Sequence, residues 1–277
     1  MTQLLIINLS GYLFVSLPES ELPSLRADIK AKALFCDLKG TILLSPEGIN
    51  AFVAGARESV DEFVAYLNAI PAFSALVFKE SVSAYPPFNR MLVRLKKEII
   101  PMNQSGVAPE KKTAPYVTAE TLREWYRQKK DMVVLDTRND FEIALGTFEN
   151  AMDLHLSHFR DFNDAIEFLP ETMKEKTVVT FCTGGIRCEK AAELMTQKGF
   201  KNVYQLEGGI LKYFEKCGGD FYEGDCFVFD QRVALNSALQ ETQTMQCFDC
   251  RTPLHASQVR DAKCPHCGSK AISKQAA

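Results

Sequence analysis

The sequence predicts a mixed α/β protein. A ferredoxin-like α+β domain comes first, then a parallel-sheet α/β domain, then a short Cys-rich tail. Three observations carry this. Residues 1–100 alternate strand-type and helix-type runs roughly in the order β-α-β-β-α-β, the pattern of a split βαβ domain. Beyond residue 116, short apolar runs alternate with helical periods, as buried parallel strands and their crossovers require. From about Gln246 the chain carries two Cys-x2-Cys pairs.

The first eighteen residues carry no charge, and no Lys or Arg precedes Arg26. A signal peptide wants a basic start, and Gln3, Asn8, Ser10, Gly11 and Ser16 interrupt any membrane span. A buried first strand, Leu4–Leu9, in a cytoplasmic protein with no membrane partner is expected. Further strands are expected at Thr41–Leu44, Ala51–Ala54, Val77–Ser81 and Met91–Leu95. Helices are expected at Leu22–Leu34 and Arg57–Ile70, the second ended by Pro71. Pro46-Glu47-Gly48 is a turn between two strands. Residues 101–116 hold Pro101, Gly106, Pro109 and Pro115 without an apolar period, and read as a linker. Thr118 then caps a helix through Lys130, with Glu120 in its first turn. Met132–Leu135 is a short strand that ends in Asp136-Thr137-Arg138. Thr177–Phe181 is a second, Cys188–Lys198 a helix stopped by Gly199, and Val203–Leu206 a third strand ended by Gly208-Gly209. The expected boundaries are 1–100, the linker 101–116, 117–222, and an extension 223–277 that includes the tail.

Of 277 residues, 46% are hydrophobic and 24% charged, which excludes collagen, coiled coil and bulk disorder. Thirty-two basic and thirty-five acidic side chains leave a net charge of −3, so the chain is no polycation. Nine cysteines, an odd number in a chain too long to need staples, favour thiol or metal chemistry over disulfides. No GxGxxG is present, so no flavin or NAD fingerprint appears.

The sharpest motif is the stretch from Phe181 to Ala191, FCTGGIRCEKA. Cys182 sits at the carboxyl end of a buried strand, where open α/β sheets place their ligand sites. Backbone N–H groups of a loop containing Gly184 and Gly185 can converge on one anion, and the following helix start adds partial positive charge. A thiol there loses its proton easily, and Arg187 can support the same charge. Cys182 is therefore expected to be a nucleophile or persulfide carrier. Cys188 has two open readings: it resolves an oxidised or persulfidated Cys182, or it packs under the loop. Cys36, Cys217 and Cys226 read as core residues.

A Cys, four loop residues and an Arg resemble the active-site loop of rhodanese domains. Asp136 and Arg138 resemble a supporting strand end, and Leu206–Ile210 the closing strand and turn. Together with Pro46-Glu47-Gly48-Ile49-Asn50, Lys96-Lys97-Glu98-Ile99 and Phe227-Val228-Phe229-Asp230, the chain resembles the rhodanese-like tRNA uridine hydroxylase family over nearly its full length. The resemblance implies an oxidoreductase that hydroxylates carbon 5 of the wobble uridine of tRNA. It implies molecular oxygen as co-substrate and Cys182 as the active-site residue. Two alternatives stay open: a sulfurtransferase working through a Cys182 persulfide, and a non-catalytic tRNA-binding module. The phosphatase branch of the fold needs five residues between Cys and Arg, so phosphatase activity is not expected.

Cys247, Cys250, Cys264 and Cys267 can place four thiolates around a structural zinc ion, with His255 and His266 as spare donors. His155 and His158 invite a metal-oxygenase idea, but a facial triad also wants a carboxylate, so ordinary polar positions are expected. Residues 85–130 hold ten Lys or Arg against four Glu, and residues 251–277 hold Arg251, Arg260, Lys263, Lys270 and Lys274 against Asp261. Such segments suit a polyanion, and Arg90, Arg94, Lys96 and Lys97 are the candidate tRNA contacts. Arg123–Lys130 reads as a solvated helix face. Tyr85, Phe88, Tyr116 and Trp125 are candidates for stacking an unpaired base.

Overall fold

A computed structural model describes residues 5–250, 252–255, 257, 263–270 and 272–273. The uncharged start becomes β1 (Ile6–Phe14), running five residues past the expected end; Leu4 lies outside the described residues. The strand continues through Ser10 and Gly11 because β1 is central and hydrogen-bonded on both sides. There follow α1 (Leu22–Phe35), β2 (Lys39–Ser45), β3 (Gly48–Gly55), α2 (Arg57–Asn68), β4 (Phe78–Ser83) and β5 (Met91–Leu95). The sheet order is β4-β1-β3-β2-β5. The first four strands pair antiparallel, and β5 adds an edge parallel to β2. Pro46 and Glu47 make the turn, since Ser45 pairs with Gly48. Ile29 and Ala33 from α1 and Val60 and Phe63 from α2 fill one core with Ile42 and Val53 of the sheet, all six fully buried. Each of the larger side chains, Ala33 aside, contributes roughly 1.5–3 kcal/mol by leaving water.

The chain divides into two compact units. One runs to Pro101 and includes Ala108–Lys111; the other takes Met102–Val107 and the chain from Lys112 onward. In the second, β6 (Tyr116–Val117) precedes α3 (Ala119–Arg127), where Thr118 Oγ1 accepts the Thr121 N–H at 3.2 Å as the expected cap. Tyr116 reads as linker in the sequence because a two-residue strand has no period. Then come β7 (Val133–Asp136), α4 (Asp140–Ile143), β8 (Gly146–Phe148), β9 (Met152–Asp153), α5 (Phe162–Glu167), β10 (Thr177–Phe181), α6 (Ile186–Gln197), β11 (Asn202–Leu206) and α7 (Gly209–Cys217). The sheet order is β6-β11-β10-β7-β9, parallel throughout. β10 is the middle strand, and Val178–Phe181 are all buried, which accounts for its unbroken apolar run.

Short antiparallel pairs complete this unit. β12 (Tyr222–Gly224) pairs with β8, and β13 (Cys226–Phe227) with β14 (Ala234–Leu235). β15 (Thr244–Cys247) lies between β16 (Pro253–His255) and β17 (Ile272–Ser273). Among the described residues, no helix is long and apolar enough to cross a membrane.

Candidate active site

Cys182 follows the last residue of β10 and is completely buried. Its Sγ accepts the Gly185 N–H at 3.1 Å. Gly185 caps α6 in a left-handed conformation (φ 101°), which turns that N–H back toward the sulfur. The underside of the loop is closed by α7: the Ile210 and Leu211 N–H groups donate to the Cys182 and Thr183 carbonyls at 3.0 and 3.1 Å. Gly209 sits in this contact at φ +67°, and a Cβ there would lie 2.4 Å from the Cys182 carbonyl oxygen, so no other residue fits without moving the loop. Gly184 and Ile186 are its only half-buried positions; the rest of Cys182–Cys188 is buried.

Burial opposes ionisation of Cys182. It is outweighed by a hydrogen bond from the Cys188 thiol, the Arg187 charge, and the Arg187 and Gly185 N–H groups, which bring the pKa down to about 5. Cys188 moves the other way, raised by burial and by the neighbouring Cys182 sulfur. The pair therefore holds a thiolate on Cys182 and a proton on Cys188 at neutral pH.

Arg187 is not the free cation that the motif suggests. Its guanidinium grips Glu142 in a two-pronged pair, Nη1 to Oε2 at 2.5 Å and Nη2 to Oε1 at 2.7 Å, with the carboxylate wholly buried. Burial raises the Glu142 pKa, but the Arg187 charge and hydrogen bonds outweigh it and hold the carboxyl below its usual range. Glu142 also accepts the Asn139 N–H and the Thr183 hydroxyl. Sequence reasoning missed this residue. The available signal was the capping box Asn139-x-x-Glu142 at the start of α4, one residue after Arg138.

Asp136 and Arg138 spend their hydrogen bonds on each other and on β8. They form a buried pair, Nη2 to Oδ2 at 2.6 Å, extended by Thr147 Oγ1 on Asp136 and by the Gly146 carbonyl under Arg138. This ties β7 to β8, and the Arg138 guanidinium lies 5.7 Å from the Phe181 ring. The segment 227–229 reaches the loop from another side. Thr183 Oγ1 donates to the Phe227 carbonyl at 3.3 Å, and Phe229, half exposed, sets its ring 5.8 Å from the Arg187 guanidinium.

His155 and His158 do not share a helical face. His155 is an exposed loop residue with positive φ, its Nδ1 3.2 Å from Asp153, and His158 precedes a 3-10 turn. Asp140, Asp153 and His155 come together, but all on exposed or half-buried positions. Trp125 packs edge-on against Tyr204 and carries the Lys130 ammonium, and the Tyr116 hydroxyl donates to Glu189. Those two rings are engaged in the fold. Arg123 and Arg127 pair with Asp220, as a solvated helix face allows. Arg90, Arg94, Lys96 and Lys97 are exposed at and beyond the edge strand β5. Of the tail cations, Arg251, Arg260 and Lys274 lie outside the described residues.

Cys247, Cys250, Cys264 and Cys267 bring their sulfur atoms within 4.8 Å of one another, a group that could hold a metal ion. Two of the separations, Cys247–Cys267 and Cys250–Cys264, are 3.6 Å. A tetrahedron of sulfur about 2.3 Å from a central ion has edges of about 3.8 Å, so the donor set fits. The knuckle turns hold it: the Cys247 N–H donates to the Thr252 carbonyl and the Gly268 N–H to Cys264. His255 and His266 stay outside the sulfur group.

A thiolate at the end of a central parallel strand, cradled by N–H groups and followed by Arg at the helix start, defines a rhodanese-type protein. The chain matches the rhodanese-like domain over residues 118–216 and the UPF0176 acylphosphatase like domain over residues 6–99. It is 51% identical to a tRNA uridine(34) hydroxylase of Cupriavidus pinatubonensis, covering 95% of this chain and 96% of that one. Proteins of the same name from Burkholderia cenocepacia and Ralstonia nicotianae are each 49% identical, covering 96% and 95% of this chain and 98% and 96% of theirs. The chain belongs to the tRNA uridine(34) hydroxylase family.

Proposed function

We propose that this protein hydroxylates carbon 5 of the wobble uridine of tRNA with molecular oxygen, and that Cys182 is the reacting group. The observation that carries the reading is the Cys182 thiolate beside a neutralised arginine, in a chain half identical to tRNA uridine(34) hydroxylases. Arg187 spends its charge on Glu142, so the loop offers no net positive charge to an anionic sulfur donor or a phosphate. A neutral uracil ring suits it better. Phe229 adds an exposed aromatic face next to Arg187 on which a splayed base can stack. Asp136, Arg138, Gly184 and Gly185 hold the loop in shape. Nucleoside mass spectrometry of tRNA incubated with the protein tests the reading. Gain of one oxygen on uridine is the expected result; gain of sulfur would make it a sulfurtransferase, and no change a tRNA binder.

Zinc is the metal we assign to Cys247, Cys250, Cys264 and Cys267, in a structural role because four thiolates leave no open position. One zinc ion per chain is expected to copurify, and a chelator to loosen the tail alone. Metal analysis with no zinc and nine titratable thiols would overturn this. A tRNA substrate and nine cysteines with no disulfide among them also suit a cytoplasmic protein.

We assign tRNA phosphate contacts to Arg90, Arg94, Lys96 and Lys97. Each neutralised phosphate releases counterions, giving a slope of about −0.7 to −0.9 in log K against log salt per contact. Reversing Lys96 and Lys97 to Glu is expected to flatten that slope and weaken all tRNAs alike, with the Cys182 thiolate unchanged. The same affinity and slope in the double variant would move the RNA surface elsewhere.

A further inference from the structure

Hydroxylating a C–H bond with O2 takes four electrons, and the C–H bond itself gives only two. The other two need a donor. Cys188, the third residue of α6, is fully buried in the same loop: its N–H donates to the Gly185 carbonyl at 3.0 Å, and the Gly185 N–H in turn donates to the Cys182 sulfur at 3.1 Å. Thr137 fixes this arrangement from the far side. Its N–H and hydroxyl both hold the Phe181 carbonyl, at 3.0 and 2.9 Å, while its Oγ1 meets Cys188 Sγ at 3.8 Å. One residue of β7's end thus pins both the strand that delivers Cys182 and the second thiol.

Resting on the hydroxylase reading, we propose that Cys182 and Cys188 are the immediate two-electron donor of the reaction, passing from dithiol to disulfide once per uridine hydroxylated. In the balanced step the uridine C5–H and the O–O bonds break, and C5–O and S–S bonds form. O2 is reduced, one oxygen atom staying on carbon 5. The other leaves as water with the Cys188 proton and one more, from Cys182 or, when that is ionised, from solvent. Closing the disulfide brings the two sulfurs to a bond of about 2.05 Å. A thiol reductant then restores the pair by exchange, attacking the disulfide as a thiolate. The buried Cys188 becomes a working group by this route, beyond donating a hydrogen bond.

The test uses the full-length, metal-loaded protein, reduced and then freed of reductant, with O2 and a tRNA carrying a wobble uridine. The expected result is at most one hydroxylated uridine per chain, matched by an equal amount of the Cys182–Cys188 disulfide in peptide mass spectrometry. Adding dithiothreitol should restore repeated turnover. Cys188→Ser keeps a hydrogen-bond donor on the Cys182 sulfur but cannot form the disulfide. Its thiolate absorbance should match the wild type, while product falls by roughly 100-fold or more even with dithiothreitol. Product formed while both thiols stay free, or wild-type turnover by Cys188→Ser, overturns the proposal and leaves the hydroxylase reading standing. So does failure of diamide to form this disulfide in the wild type. A wild type that forms the disulfide with diamide but hydroxylates no tRNA under any reductant overturns the hydroxylase reading, and the dithiol's role with it.

Discussion

Cys182→Ser is expected to abolish uridine hydroxylation while leaving the fold intact. The substitution trades one sulfur for oxygen, and the Gly185 N–H at 3.1 Å can still find an acceptor. What disappears is the anion, since a serine hydroxyl does not ionise near neutral pH. Removing the reacting group of a concerted site costs a factor of roughly 10³ or more in rate. The thiolate itself can be read without any reagent reaching the buried sulfur, as the difference in ultraviolet thiolate absorbance between wild type and Cys182→Ser. With the pKa brought down to about 5, that difference should hold from pH 8 to pH 6 and vanish as pH falls through 5. The same sign governs stability. The folded pKa lies below that of an unfolded thiol, about 8.5, so ionised Cys182 stabilises the fold fully above that value. The contribution shrinks as pH falls and is gone below 5. A titration midpoint at 8 or above would overturn the thiolate loop.

Glu142→Ala is expected to cost a large share of the stability of the second unit. It strands the Arg187 guanidinium, 5% exposed, beside Phe229 and the loop with no carboxylate. Breaking a buried pair by removing one partner costs about 3–5 kcal/mol, a large share of a domain's 5–15 kcal/mol. It also removes the acceptor of the Asn139 N–H and leaves the Thr183 hydroxyl with the Phe227 carbonyl alone. Urea denaturation, followed on the transition of the second unit, measures it. The double variant Glu142→Leu/Arg187→Met should recover most of the loss, because no uncompensated charge remains. It should also raise the Cys182 pKa, since one cation that favours the thiolate is gone. A loss below about 1 kcal/mol for Glu142→Ala would mean that water reaches Arg187 and the pair behaves like a surface one.

The sequence alone determined element types where a run carried its own period. Met91–Leu95 and Thr177–Phe181 are strands at the bounds their apolar runs mark, and Leu22 starts a helix as expected. The ferredoxin-like and parallel-sheet architectures, the strand–loop–helix position of Cys182 and the grouping of the four tail cysteines were legible for the same reason. Each is a local pattern of covalently near residues, and its chemistry follows from spacing. The resemblance to a known family was legible in the same motifs. Elements that get their order from partners were not. β1 runs to Phe14 because two neighbours pair with it, and Tyr116-Val117 is a strand only because β11 lies alongside.

The site divides the same way. The sequence placed Cys182 and Arg187 in one loop, but only the tertiary structure gave Arg187 its partner, Glu142, 45 residues away. It alone set Thr137 against Cys188, packed Trp125 edge-on against Tyr204, and tied the hydroxyl of the half-exposed Tyr116 to Glu189. The reason is the range of the forces. Helix and strand propensity act over a few residues, so they are written in the sequence. Charge pairing and thiol ionisation depend on how completely water is excluded. That is decided when β7, α4, β10, α6 and the 227–229 segment converge on one point.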